Sequence, residues 1–317
     1  MRFSLFSILI VAAFIACTNT VSMPAEDDDT STASNSSKKE TVNEDGKSSS
    51  GKEQTEECVG DVGKPWNGTT AKEFACGAGT KLSPYIILTA EQLAKLSFIV
   101  GSNDKAYQGK YYKLGADIQL NEGKIIDDKG ALVGDSTKLH KWTPIGNSSV
   151  AFTGNFDGDG HSVSGMFINT TSTHNGLFGN SSGTVQNLKV ENSWVSGGKF
   201  TAGVIGRNTD SVINVNNLAS VFGKDECIGG VIGSSYQKDN KTNSVIKKVT
   251  NNGFVIGDKN VGGVAGCASY VTVDGAENTV AIEGFGYVGG LFGGIGSSSK
   301  NDVKNLKNIG SVTGKHF

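Results

Sequence analysis

Proline and arginine are scarce in this chain. Of 317 residues only 4 are Pro, and Arg occurs twice, as Arg2 and Arg207. Collagen-like and Pro-rich linker structures are thereby excluded, although Gly is abundant at 44 residues. Histidine is also rare, at four, which limits the acid–base and metal sites that can be built. The chain has no His-Glu-x-x-His string for a zinc protease and no Gly-x-Ser-x-Gly elbow for a serine hydrolase. No Cys or His pair has metal-ligand spacing, so no metal site and no cofactor are expected. The net charge of −2 gives no basic footprint for nucleic acid.

What is present is a repeated phrase, Gly-apolar-apolar-Gly. It reads Gly176-Leu177-Phe178-Gly179, Gly203-Val204-Ile205-Gly206, Gly230-Val231-Ile232-Gly233, Gly263-Val264-Ala265-Gly266 and Gly290-Leu291-Phe292-Gly293. The starts are 27, 27, 33 and 27 residues apart. A fixed period of this size marks a stacked repeat architecture. Each repeat carries three short apolar runs, and no helical pattern separates them. Three strands and three turns per repeat describe one coil of a parallel β-helix. The longer third spacing reflects an insertion near 237–242, placed as a surface loop.

The expected fold is therefore all-β, a parallel, right-handed β-helix solenoid with a short N-terminal capping helix. That helix is predicted at about 90–100, where Thr89 and Gln92 have capping-box spacing and Leu93 and Leu96 share a face. Residues 59–105 form the cap region. The β-helix runs over 106–317, with the five regular repeats in 173–317 and a polar loop at 121–141.

Before the domain lie two segments of different character. Residues 1–16 have a cationic start and an apolar run too short for a comfortable membrane span, and read as a secretory signal. Phe14-Ile15-Ala16-Cys17 resembles the bacterial lipobox, which implies lipidation at Cys17 and a membrane partner through it. Residues 17–58 are polar; 18–58 hold ten acidic and four basic residues. They read as a disordered tether that holds the domain off a membrane. Export permits disulfides, and Cys58 with Cys76 is the candidate pair. Cys227 lies three residues before its Gly230 and Cys267 four after its Gly263. Counted along the strands they are seven residues apart, and they are predicted not to pair.

The phrase Tyr287-Val288-Gly289-Gly290-Leu291-Phe292-Gly293 resembles the GLUG motif of bacterial surface proteins. Trp142-Thr143-Pro144-Ile145-Gly146 and the segment 152–161 resemble the stretch that precedes such repeats. The resemblance covers roughly 66–317. It implies a right-handed parallel β-helix in an exported, adhesin-like lipoprotein of the outer membrane or cell surface. The motif also occurs in bacterial immunoglobulin A1 metalloproteases, but it contains no catalytic group.

The remaining site readings are weighed residue by residue. Asn155-Phe156-Asp157-Gly158-Asp159-Gly160 copies half of a calcium loop, but Met166 stands where the final Glu is required. A tight Asp-Gly turn is the favoured reading. Asp210, Asp225, Glu226, Asp258, Asp274, Glu277 and Glu283 fall mostly at turns and at different register positions. A carbohydrate-active enzyme, a lyase or glycosidase, is the alternative to a non-catalytic binding protein for a host, matrix or polysaccharide ligand. Finally, strand residues alternate faces. If the strand is straight, Phe178, Ile205, Ile232 and Phe292 form an outward apolar binding stripe. If a Gly-borne bend intervenes, as favoured, the column turns inward.

Overall fold

The computed structural model describes residues 58–315 except 238, 240, 298 and 299. The expected signal at 1–16, Cys17 and nearly all of the expected tether lie outside the described residues. The described part falls within one compact unit, Gln54–Phe317.

Among the described residues, the fold is a β-solenoid of about eight stacked parallel coils with one α-helix. Three sheets run along it, and every strand pair within them is parallel. The first sheet stacks Tyr85–Ile87, Tyr111–Leu114, Asn155–Asp157, Thr184–Glu191, Ser211–Asn217, Ser244–Asn251, Val271–Asn278 and Asp302–Asn308. The second contains Phe167–Asn169, Trp194–Gly197, Ser220–Gly223, Glu226–Gly229, Val255–Gly262 and Ile282–Gly289. The third holds Phe178–Ser181, Ile205–Asn208, Ile232–Tyr236, Ala265–Ser269 and Phe292–Ile295. The three apolar runs of each repeat thus become one strand in each sheet.

The helix Ala90–Gly101 begins with the expected capping box: the Gln92 amide donates to Thr89 Oγ1 at 3.3 Å and the Thr89 amide to Gln92 Oε1 at 3.2 Å. Its Leu93, Leu96 and Ile99 join the same buried cluster as Ile87, Leu114 and Ile145. The helix therefore covers apolar side chains that would otherwise face water at this end. The loop 121–141 is more than a connection. Its Ile125 and Ile126 are buried with Phe167 in a satellite core, with Leu132, Leu139 and Trp194 packed against it.

Both glycines of the repeated phrase have a steric cause. Inside the solenoid runs a ladder of asparagines, each donating Nδ2 to Oδ1 of the next: Asn217 to Asn251 at 2.9 Å, Asn251 to Asn278 at 2.8 Å and Asn278 to Asn308 at 2.8 Å. Each Nδ2 also reaches the carbonyl two residues on, at 2.8–3.2 Å. Asn217, Asn251 and Asn278 are fully buried, and a buried amide is tolerated only when bonded in this way. A Cβ at the first glycine of the phrase would overlap this ladder, at Asn217 from Gly203, Asn251 from Gly230, Asn278 from Gly263 and Asn308 from Gly290.

The second glycine serves a different approach. After the corner the chain folds back, so the third-sheet strand of one coil lies against the arm before the corner in the preceding coil. A Cβ on Gly233 would sit 2.8 Å from Phe200 C, and one on Gly206 2.8 Å from Asn175 N. On Gly266 it would overlap Cys227 and Ile228, and on Gly293 Asn260 and Val261. Only Gly permits this backbone-to-backbone contact.

This fold-back overturns one expectation and decides between the two readings of another. Cys227 and Cys267 are bonded to each other, with Cα atoms 5.0 Å apart. Counting residues along the strands measured contour length, but the positions lie on facing arms, nearly symmetric about a corner and one coil apart. Cys58 and Cys76 are also joined, with Cα atoms 4.8 Å apart. Second, the column Phe178, Ile205 and Ile232 is fully buried, and Phe292 is half-buried against the same core. These residues are core and not a binding stripe. Their neighbours Leu177, Val204 and Val231 occupy the corner and are buried too, so a bend turns both columns inward. Phe178 packs between Phe152 and Phe156, with ring centroids 5.3 and 5.2 Å away.

Candidate functional site

The outward face of the first sheet carries a groove. Each long strand of this sheet is broken by one residue in left-handed conformation. Register aligns Asn187, Asn214, Lys248, Gly275 and Asn305 in one column, with φ of 52, 54, 52, 85 and 57°. Asn supports this conformation by local hydrogen bonding and Gly has no Cβ to clash. The column marks where the sheet turns.

Just before that turn runs an outward column: Lys113, Asp157, Gln186, Ile213, Lys247, Asp274 and Lys304. At its N-terminal end, Lys81, Leu82 and Pro84 form one wall of a groove of about 750 Å³. Tyr111, Lys113, Asp157, Thr184, Gln186 and Ile213 line the rest. A polar floor with an aromatic and an apolar edge at this volume is the make-up of a small-ligand cleft.

The Asp157-Gly158-Asp159-Gly160 segment is the tight turn that was favoured over a calcium loop. The Asp159 amide donates to Asp157 Oδ1 at 2.8 Å, and Asp159 has φ 51°. Gln186 Nε2 donates to Asp157 Oδ2 at 2.8 Å and Asn187 Nδ2 to Oδ1 at 3.0 Å. Asp159 pairs with Lys113 at 2.9 Å. Burial pushes the Asp157 carboxyl up, but the bonds from Asn187, the Asp159 amide and Gln186, with Lys113 nearby, outweigh it and hold it below the ordinary carboxylate range. Asp157 is thus an ionised, fully engaged acceptor.

Asp225 accepts from the Glu226 amide at 2.8 Å and Asp210 from the Ser211 hydroxyl at 3.0 Å, while four other acids are tied between coils. Asp274 pairs with Lys304 at 3.6 Å, Glu277 with Lys307 at 2.7 Å and Glu283 with Lys315 at 3.4 Å, each on the following coil. Glu226 pairs with Lys199 of the preceding coil, whose hydrogen bond holds the Glu226 carboxyl below its usual range. Among the described residues no three His, Cys, Asp or Glu side chains converge as a metal site would require. None of this pairing stood out in the sequence, because the partners are separated by a whole coil. Aligning each acid with the residue one coil on would have found two of the pairs, Asp274 with Lys304 and Glu277 with Lys307.

On the arm before the corner, His174 is buried, with 8% of its surface exposed. Burial, and secondarily the charge of Arg207, lower its pKa. The unfolded chain takes up the proton near the ordinary value of 6.5 while the folded chain resists. Stability is therefore full above about 6.5 and lost as pH falls through that window. We expect the pH 7.5-to-5.5 loss of unfolding free energy, followed by urea denaturation, to shrink in His174→Gln; an unchanged slope would assign it to other groups.

No family model matches the chain. Over 178 residues it is 32% identical to halomucin of Haloquadratum walsbyi, covering 53% of this chain and 2% of that protein. Over 146 residues it is 32% identical to a protein of Evansella cellulosilytica described by name as a Gly-rich membrane protein, covering 44% of this chain and 15% of that one. The chain therefore spans a small part of these relatives. Among solved structures it resembles a chain from Bacteroides ovatus described by name as an immunoglobulin A1 protease. That likeness has a TM-score of 0.57 at 22% identity and covers 76% of this chain and 70% of that one. At this identity it establishes the shared β-solenoid fold.

Proposed function

We propose that this protein is an exported lipoprotein of the cell surface, of the GLUG-repeat kind, anchored through a lipidated Cys17 and held out on the tether 17–58. Its β-helix binds a polysaccharide without cleaving it, and the first-sheet groove under Lys81–Pro84 is the site. One observation carries the non-catalytic reading. Of the acids singled out, Asp157, Asp159, Asp225, Glu226, Asp274, Glu277 and Glu283 each have a cation or amide partner in the fold and Asp210 accepts from the Ser211 hydroxyl, which leaves Asp258 as a single carboxyl. Glycoside cleavage needs two carboxyl groups free to hold and release protons on either side of one bond. The names of the halobacterial and Evansella relatives agree with a surface location, and that agreement is support by likeness. Proteolysis is not part of the proposal, since a His-Glu-x-x-His string is lacking.

In the groove, Tyr111 offers an aromatic edge to a sugar face, while Gln186 and Lys113 offer donors to hydroxyls. The test is retention of the full chain on immobilised neutral and acidic polysaccharides, with Tyr111→Ala beside the native protein. Saturable retention, weakened about fivefold by Tyr111→Ala, is expected from the loss of an aromatic contact of about 1 kcal/mol. Release of new reducing ends or unsaturated sugars would establish the enzyme alternative instead, and absence of retention on every polysaccharide would overturn the binding reading.

A further inference from the structure

The fold-back at each corner creates a second row of facing positions, away from the first sheet. Cys227 before one corner meets Cys267 after the next. The same step toward the C-terminus brings Gly294 to Asn260: a Cβ on that glycine would lie 3.2 Å from Asn260 Oδ1. Register carries the row toward the N-terminus as well. On one arm Cys227 lies beside Phe200, and Phe200 beside His174. On the other, Cys267 aligns with Ser234, Ser234 with Arg207 and Arg207 with Asn180. The row is therefore Asn260 with Gly294, Cys227 with Cys267, Phe200 with Ser234, and His174 with Arg207. His174, Phe200, Cys227 and Asn260 all sit in the left-handed region, with φ of 65, 59, 63 and 52°. The arm geometry repeats although the side chains differ.

At the position where one step holds a disulfide, the first step holds an imidazole and a guanidinium with unfilled donors. His174 Nε2 is buried with no hydrogen-bond partner, and so is Arg207 Nε. The Thr173 hydroxyl lies 2.8 Å from His174 Nδ1. With that hydroxyl donating, Nε2 carries the proton and is a donor without an acceptor. Arg207 lies over the Tyr236 ring, its guanidinium carbon 4.5 Å from the centroid, which orients the planar fork. Burial is what lowers the Arg207 pKa, and no carboxylate offsets it. Elsewhere Lys199, Lys304, Lys307 and Lys315 each face an acid on an adjacent coil; here the cation is matched to a neutral ring and an aromatic face.

Unsatisfied buried donors of this kind each cost free energy unless an acceptor fills them. Two open grooves of about 520 Å³ flank the row. His174, Thr173 and Asn147 line one, Ser234 and Tyr236 the other.

We propose that Arg207, His174 and Tyr236 form a subsite for an oxyanion substituent of a sugar chain, either a uronate carboxylate or a sulfate ester. Arg207 supplies the charge and the fork, His174 Nε2 a neutral donor, and Tyr236 holds the guanidinium flat. The proposal rests on the polysaccharide reading above but uses the third sheet, and so divides from the first-sheet groove by mutation. No bond is made or broken in the bound ligand.

The experiment titrates the full chain with oligogalacturonate, with sulfated dextran oligosaccharide and with neutral dextran, by calorimetry. Arg207→Gln and Arg207→Lys are compared with Tyr111→Ala, and circular dichroism confirms that each variant folds. An affinity for one acidic oligosaccharide that falls about tenfold in Arg207→Gln supports the subsite. Arg207→Lys should keep the salt dependence but lose several-fold, because an ammonium is a point charge without the fork. The arm that responds identifies carboxylate or sulfate. Equal affinities of native protein and Arg207→Gln for both acidic chains would overturn the subsite and leave the first-sheet groove standing. If no oligosaccharide binds, free galacturonate and inorganic sulfate are added while the His174 ring resonances are followed. A saturable shift abolished by Arg207→Gln would keep the subsite without the polysaccharide reading, and no shift would overturn both.

Discussion

Gly230→Ala is expected to destabilise the solenoid by about 3 kcal/mol or more, at the upper end of what overpacking costs. The added methyl would overlap Asn251 Oδ1 on one side and the Gly263 carbonyl on the other. Neither is a flexible chain end: the amide is locked in the ladder and the carbonyl belongs to the next coil. Asn251→Leu attacks the same point from within. It strips partners from Asn217 Nδ2, Asn278 Oδ1 and the Gly253 carbonyl, all at 2.8–2.9 Å. A buried polar group left unpaired costs about 1–3 kcal/mol, so this change too should exceed about 3 kcal/mol. Gly286→Ala is the control, since its methyl would touch only Lys259 Cγ at 3.9 Å. Urea unfolding followed by circular dichroism reads the differences. A Gly230→Ala protein within 1 kcal/mol of Gly286→Ala would remove the steric account of the phrase. Hydrogen exchange adds the location, with lost protection expected first at Ser244–Asn251 and Val271–Asn278.

The second large effect is on the covalent clasp between coils. Replacing both Cys227 and Cys267 by Ser opens a loop spanning 40 residues. The chain-entropy account gives about 4 kcal/mol for a loop of this length, an upper figure for the loss. The shorter closure between Cys58 and Cys76 spans 18 residues and should contribute about 3 kcal/mol on the same account. Unfolding midpoints of the two double variants, each against the oxidised native protein, check the order. Equal midpoints for native and Cys227→Ser/Cys267→Ser would mean that the clasp does not restrain the unfolded chain.

Much of this architecture was legible in the repeated phrase. The period, the three apolar runs and the capping box at Thr89 and Gln92 follow from local spacing, and the structure contains each. What spacing could not supply was the direction of the chain after the corner. Cys227 and Cys267 look distant along the strand and meet only because the arms fold back. Phe178 and Ile205 would face outward on a straight strand, and the same corner places them inside. The asparagine ladder was hidden for a related reason: insertions put Asn217, Asn251 and Asn278 at unequal distances from their glycines, so no fixed period reveals them. The Arg207 row was half visible. Its isolation as the lone arginine of the domain is plain in the sequence, whereas its neutral partner His174 is two residues before its own glycine and belongs to the preceding coil.

The clasp also bears on how the molecule answers force. In a solenoid pulled from its ends, hydrogen bonds between coils are loaded one rung at a time, so coils peel away singly and the molecule lengthens like an unwinding spring. The bond from Cys227 to Cys267 interrupts that sequence. The 40-residue span it closes cannot be drawn out while the bond is intact, and the load passes through two sulfur atoms. Strain that has unwound the flanking coils stops there, which makes the clasp a ratchet stop in the middle of the repeats and gives reduction a mechanical consequence as well as a thermodynamic one.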